Sequence, residues 1–72
     1  MLRKTKLTSE EIGRVRGLVF EYIKSHGSIR NRELRAVSQI SYDQAIHFFG
    51  EMVRRGGLKR IGTRSGTRYV FK

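Results

Sequence analysis

The chain predicts an α+β fold that is mainly α, a three-helix bundle followed by a C-terminal β-hairpin, and three observations predict it. Apolar residues recur at helical spacing in Ile12, Val15, Val19, Tyr22 and Ile23, and again in Ala45, Phe48, Phe49 and Met52. Capping-box pairs, Thr8 with Glu11 and Ser41 with Gln44, stand at the head of these two stretches. Two β-favouring runs, Leu58 to Ile61 and Thr67 to Phe71, follow Gly56-Gly57 and flank a glycine-bounded loop.

Helix 1 is expected from Ser9 to Ser25 and stops at His26-Gly27, where the glycine can take the left-handed conformation that closes a helix. Ser28-Ile29 leaves room for a very short strand. Asn31 can then cap helix 2, Arg32 to Val37, which has Leu34 and Val37 on one face. Ser38-Gln39-Ile40 breaks the pattern, and helix 3 begins at Ser41. Around a helix, Phe48, Phe49 and Met52 fall within about 60° of Ala45 and form a core stripe, with Asp43, His47, Gly50 and Arg54 opposite. Either Gly56 or Gly57 can close this helix. In the second strand of the hairpin Tyr69 and Phe71 share a face, the one that packs back onto the helices. The expected order is helix, short strand, helix, helix, strand, strand, with residues 1–7 a flexible basic arm and residues 8–72 the domain.

Composition narrows the function. Seventy-two residues make one domain with one thin core, which argues against a deep enzyme cleft. The absence of cysteine removes disulfides, thiolate nucleophiles and Cys-ligated metals. No apolar run approaches the roughly 20 residues that span a bilayer, and no apolar stretch follows the basic start to make a signal peptide. Sixteen Lys and Arg against six Asp and Glu leave a net charge of +10, of which residues 54–72 carry +7 without a single acid. A run of like charge is ordinarily a solvated face. Here it is interleaved with Leu58, Ile61, Tyr69, Val70 and Phe71, so the basic segment is folded and displays its charges in fixed places. Such a surface suits a polyanion, nucleic acid before anionic membrane.

Two short helices joined by a tight turn, the second longer and followed by a hairpin, match the organisation of a winged helix-turn-helix. The residues strengthen the match. Gly27-Ser28-Ile29-Arg30-Asn31-Arg32-Glu33-Leu34-Arg35 resembles the "G-x-I-T-N-R-E-L/Y-R" opening of winged helix-turn-helix modules of bacterial transcriptional regulators, including those attached to helicase-related regulator proteins. Ser41 to Ala45 resembles the start of that family's recognition helix, Met52 to Gly62 its "L-V-x-x-G-L-L-x-R-x-G", and Gly66-Thr67-Arg68-Tyr69 its "G-T-x-Y" second wing strand. The resemblance runs from Ile12 to Phe71. The chain departs from it at Arg30, where the family has a capping threonine, and at Ile46, Phe48 and Gly50, which are less polar and less helix-favouring than the family's residues.

The resemblance implies sequence-specific binding of double-stranded DNA by a small transcriptional regulator or the DNA-binding domain of one. In that architecture Ser41, Tyr42, Asp43, Gln44, Ile46 and His47 on helix 3 face the bases of the major groove. Gln44 can pair with adenine, Asp43 can accept from cytosine, and Ile46 can touch a thymine methyl. Asp43 is accounted for equally well by the helix dipole. Arg30, Asn31, Arg32, Arg35 and Arg54 are expected on the DNA backbone. Lys59, Arg60, Thr63, Arg64, Ser65 and Arg68 belong to the wing, with Arg64 at its tip placed for minor-groove insertion or plain phosphate contact. Arg3, Lys4 and Lys6 form the arm.

Asp43, His47 and Glu51 line one helix face, yet Glu51 has Arg54 and Arg55 to pair with, so no metal is expected. His26 suits the dipole at a helix C-terminus. Without a nucleophile–base pair, P-loop or dinucleotide fingerprint, the chain is expected to be no enzyme and to need no cofactor. A reader this small covers few base pairs, so a homodimer or a larger protein partner is expected. Its location would be the cytoplasm, on the nucleoid, in a bacterium or archaeon and the nucleus in a eukaryote. Two rivals stand beside this reading. One is a protein-interaction winged helix that presents Ile46, His47 and Gly50 to a partner while binding nucleic acid nonspecifically. The other is an RNA or single-strand binder stacking bases on Tyr42, Tyr69 and Phe71.

Overall fold

The computed structural model describes residues 7–62 and 66–72, and its three helices, α1 (Ser9–His26), α2 (Asn31–Ser38) and α3 (Tyr42–Arg54), all begin in the same way. An apolar residue precedes the cap, a Glu or Gln stands three residues after the cap, and a second apolar residue follows at once: Leu7-Thr8 with Glu11-Ile12, Ile29-Arg30 with Glu33-Leu34, Ile40-Ser41 with Gln44-Ala45. In each case the long polar side chain turns back to accept the cap residue's N–H, at 2.8, 2.8 and 2.9 Å. Thr8 and Ser41 return the bond, their hydroxyls accepting from the N–H of Glu11 and Gln44. Arg30 has no acceptor to return. The apolar pairs on either side are placed as hydrophobic staples, which set the angle at which the chain enters each helix.

This repeated start corrects two expectations. Asn31 does not cap α2; it is the first helical residue, because burial of Ile29 and Leu34 places the cap between them, at Arg30. Leu7 does not belong to a flexible arm, since it is buried in the same cluster as Val15, Val19, Ile23, Leu34, Phe48 and Phe49. The rest of that arm, Arg3, Lys4 and Lys6 included, lies outside the described residues.

Helix α2 packs differently from its sequence pattern. Leu34 is buried, but its companion is Ser38, whose hydroxyl donates to the Leu34 carbonyl at 2.6 Å, and Val37 is 41% exposed. A bonded serine is small enough to sit in the core without an unsatisfied hydroxyl. The α2–α3 turn is tight because Gln39 takes a left-handed conformation, φ 61°, its N–H donating to the Arg35 carbonyl at 2.8 Å. At the far end of α3 the choice between two glycines is settled by a Schellman motif. Gly56, φ 85°, donates to Val53 and Gly57 to Met52.

The hairpin pairs β1 (Leu58–Ile61) with β2 (Arg68–Phe71), antiparallel, in the register Leu58 to Phe71 and Arg60 to Tyr69. Gly62, φ 81°, starts its turn, and a Cβ there would sit 2.3 Å from the Gly66 carbonyl oxygen, so only glycine fits. Among the described residues the sheet has two strands and not the three expected. Ser28-Ile29 shrinks to a single bridge, Ile29 exchanging hydrogen bonds of 2.9 and 2.8 Å with Tyr69. Gly27 already closes α1 and Arg30 already caps α2, leaving too little chain between them for a ladder. Three helices followed by a two-stranded hairpin are compatible with a winged helix. Among the described residues no helix is long and apolar enough to cross a membrane.

The left-handed Gln39 carries a steric cost that glycine would not. Gln39→Gly is expected to raise stability by about 0.5–1 kcal/mol, the relief offset in part by glycine's greater unfolded freedom. The check is the thermal unfolding midpoint, which should rise by a few degrees; an unchanged or lower midpoint contradicts this account of the turn.

Candidate nucleic-acid interface

Tyr69 is where the parts of the candidate surface meet. Its backbone bonds Ile29, the residue that leads into α2; it pairs with Arg60 across the hairpin; and its ring stacks on Phe49 of α3, centroids 3.8 Å apart and planes 8° apart. Two residues further along β2, Phe71 meets Phe20 of α1 edge to face at 5.4 Å. Tyr69 and Phe71 thus both pack onto helices, as their shared face predicts, and Phe20 lies under the hairpin.

This junction creates a groove of about 440 Å³ whose lining comes from three elements: Arg30, Asn31, Arg32, Glu33 and Arg35 of the α2 start, Tyr42 and Ile46 of α3, and Arg60, Thr67 and Tyr69 of the hairpin. A second hollow continues it along α3 past Ile46, Gly50, Val53 and Arg54. Among the described residues lining the first groove, four arginines face one carboxylate, Glu33, whose Oε1 is engaged by the Arg30 N–H. Arg35 is held in place on two sides. Its Nε donates to Asn31 Oδ1 at 2.7 Å, and its guanidinium lies 5.4 Å from the centre of the Tyr42 ring. Asn31 Nδ2 is buried with no hydrogen-bond partner among the described residues.

The structure brings together Arg30, Asn31, Arg32, Arg35, Tyr42, Ile46 and Arg60, with Arg54 on the continuation. It separates others. Lys59 and Arg68 alternate with Arg60 and Tyr69 along the strands and so stand on the opposite face of the hairpin. Gln44 lies about 160° around α3 from Ile46, with its carboxamide oxygen occupied by the Ser41 N–H, and Ser41 is itself the cap. Asp43 and His47 are half-buried on the helix face between these flanks. Arg54 and Arg55 both close on Glu51. Thr63, Arg64 and Ser65 lie outside the described residues. Among the described residues no three His, Asp or Glu side chains form a group that could hold a metal.

Two lining residues, Glu33 and Thr67, are absent from the set that the sequence predicts, and Tyr69 figures in it only as a stacking platform for single strands. Glu33 had a visible signal, the same spacing from an apolar residue that marks Glu11 and Gln44. Thr67 and Tyr69 depend on the register of the hairpin, which its loop leaves open. Glu33 also reaches α1: its carboxylate accepts from the Tyr22 hydroxyl, whose ring stacks on His26 at 4.1 Å. Desolvation, and then the charge and hydrogen bond of Glu33, hold the Tyr22 phenol above its ordinary value of 10.0.

Compared with protein-family models, with curated proteins and with solved structures, the chain gives no match. The surface has to be interpreted on its own chemistry.

A raised phenol favours the protonated, folded form. Its contribution is therefore complete below pH 10, the unfolded value, and is lost as pH rises through the higher folded value. In an ultraviolet titration of the phenolates, Tyr22 is expected to ionise above pH 10, and Glu33→Gln, which keeps the acceptor but removes the charge, to bring it down. A Tyr22 phenol that titrates unchanged in Glu33→Gln contradicts the assigned contact.

Proposed function

We propose that this chain is a winged helix-turn-helix protein that binds double-stranded DNA, either a small transcriptional regulator or the DNA-binding domain of one. The observation that carries the reading is the convergence of Arg30, Arg32, Arg35 and Arg60, from two separate elements, on one groove beside the first turns of α3. Guanidinium groups bind phosphate oxygens as planar forks, and a rigid set of them fixes the register of a duplex without reading its sequence. In this reading the α2 start and Arg60 hold the backbone while the Tyr42–Ile46 flank of α3 enters the major groove. Gln44 reads no base, because its carboxamide caps α3. So small a surface covers few base pairs, and a second copy or a larger partner would extend the site.

A second reading, a protein-interaction winged helix that binds nucleic acid only nonspecifically, is favoured by one observation: the outer flank of α3 is apolar at Tyr42, Ile46 and Val53.

Fluorescence anisotropy against a random-sequence DNA duplex, its single strand and duplex RNA, each at several salt concentrations, distinguishes the two. Duplex DNA is expected to bind most tightly, and four phosphate contacts give a log–log salt slope of about −4. The double variant Arg32→Ala/Arg60→Ala should reduce that slope by about 2 and weaken all duplexes alike. Equal binding of all three polyanions, or a slope that the double variant leaves unchanged, contradicts the DNA reading.

A further inference from the structure

The flank of α3 that faces the groove lacks the polar side chains that read bases by hydrogen bonding. Tyr42, Ile46 and Val53 are 57%, 48% and 38% exposed, and they stand within about 40° of one another around the helix. Between Ile46 and Val53 comes Gly50, with nothing within 4 Å of where its Cβ would be, so the flank is an apolar strip with a gap in it and not a continuous ridge. Arg35 at one end, stacked on Tyr42, and Arg60 along the side give the strip a cationic rim.

Whatever covers this strip has to be anionic at its edges and apolar at its centre. A second copy of the chain fits badly, because it would bring the same arginines to the same rim. The major groove of duplex DNA has the required pattern: phosphates line its edges, and its floor carries one apolar group, the C5-methyl of thymine. Tyr42 and Ile46, one turn apart at about 6 Å along the helix, span roughly two base-pair steps of about 3.4 Å each. Resting on the DNA reading above, we propose that α3 reads thymine methyl groups, Ile46 and Tyr42 being the side chains that cover them, so that the preferred sites of this chain are A·T-rich. This differs from readout by paired hydrogen bonds, for which Gln44 would be the natural side chain and for which it is already committed to the cap.

Replacing thymine by deoxyuridine deletes that methyl and leaves every base-pairing group in place. Replacing cytosine by 5-methylcytosine adds the same methyl to a different pair. A short alternating A·T duplex should lose about fourfold in affinity for each methyl covered when thymine becomes deoxyuridine. A matching G·C duplex should gain affinity when its cytosines are methylated. Ile46→Ala, at an exposed position that does not threaten the fold, should weaken binding of the thymine duplex and shrink both differences. Equal affinity for the thymine and deoxyuridine duplexes overturns methyl reading yet leaves DNA binding standing, and makes an acidic protein the occupant to look for. Failure to bind any duplex removes the DNA reading and this inference together.

Discussion

Everything on the candidate surface depends on how Tyr69 is held. A single residue bonds the lead-in to α2, pairs with the hairpin strand that carries Arg60, and lays its ring flat on Phe49 of α3. Aromatic stacking at this distance adds to the area that the rings bury, and the two backbone bonds to Ile29 prevent the hairpin from sliding along its own axis. The backbone positions that carry the arginines of α2 and of the hairpin therefore keep a fixed spacing, although they are far apart in the chain. Long basic side chains on unconnected loops would have to be ordered by their ligand, at the cost of their rotamer freedom.

The same economy governs the helices. In a chain of 72 residues the core is small, and each helix must begin at a defined point if its one apolar stripe is to meet the others. An apolar residue on each side of the cap, with a Glu or Gln folding back between them, supplies that definition three times. At α2 the device has a functional consequence as well. Glu33 is engaged by the Arg30 N–H and the Tyr22 hydroxyl, so the one carboxylate among the described residues that line the groove serves the fold and does not simply cancel an arginine.

Most of the fold is legible in the sequence, because its signals are local. Capping pairs at Thr8 and Ser41, the apolar spacing of α1 and α3, and glycines at the ends of helices mark the three helices and the hairpin without reference to packing. The start of α2 is harder to see, since Arg30 lacks the oxygen that makes a cap recognisable, and the cap shows only through Ile29, Glu33 and Leu34 around it. The expected third strand fails for lack of chain length: one residue can bridge but cannot form a ladder. On the candidate surface the arginines of α2 are legible as charge, but the sorting of Arg60 from Lys59 and Arg68 requires the strand register. The diversion of Gln44 follows from the very capping signature that reveals α3, so a residue suited to reading adenine is spent on starting its helix. Val37 against Ser38 shows the converse, where spacing alone selects the apolar residue and packing selects the bonded hydroxyl.

The claim that the α2 start, the Tyr42–Ile46 flank of α3 and the Arg60 face of the hairpin act as one DNA-binding surface is tested most directly by assigned amide NMR spectra during titration with a random-sequence duplex. The account predicts that the largest shifts cluster in residues 30–35 and 42–46 and at Arg60, Thr67 and Tyr69, while the outer face of α1 around Glu21 stays unchanged. Shifts centred on α1, or spread evenly over the molecule, would contradict it.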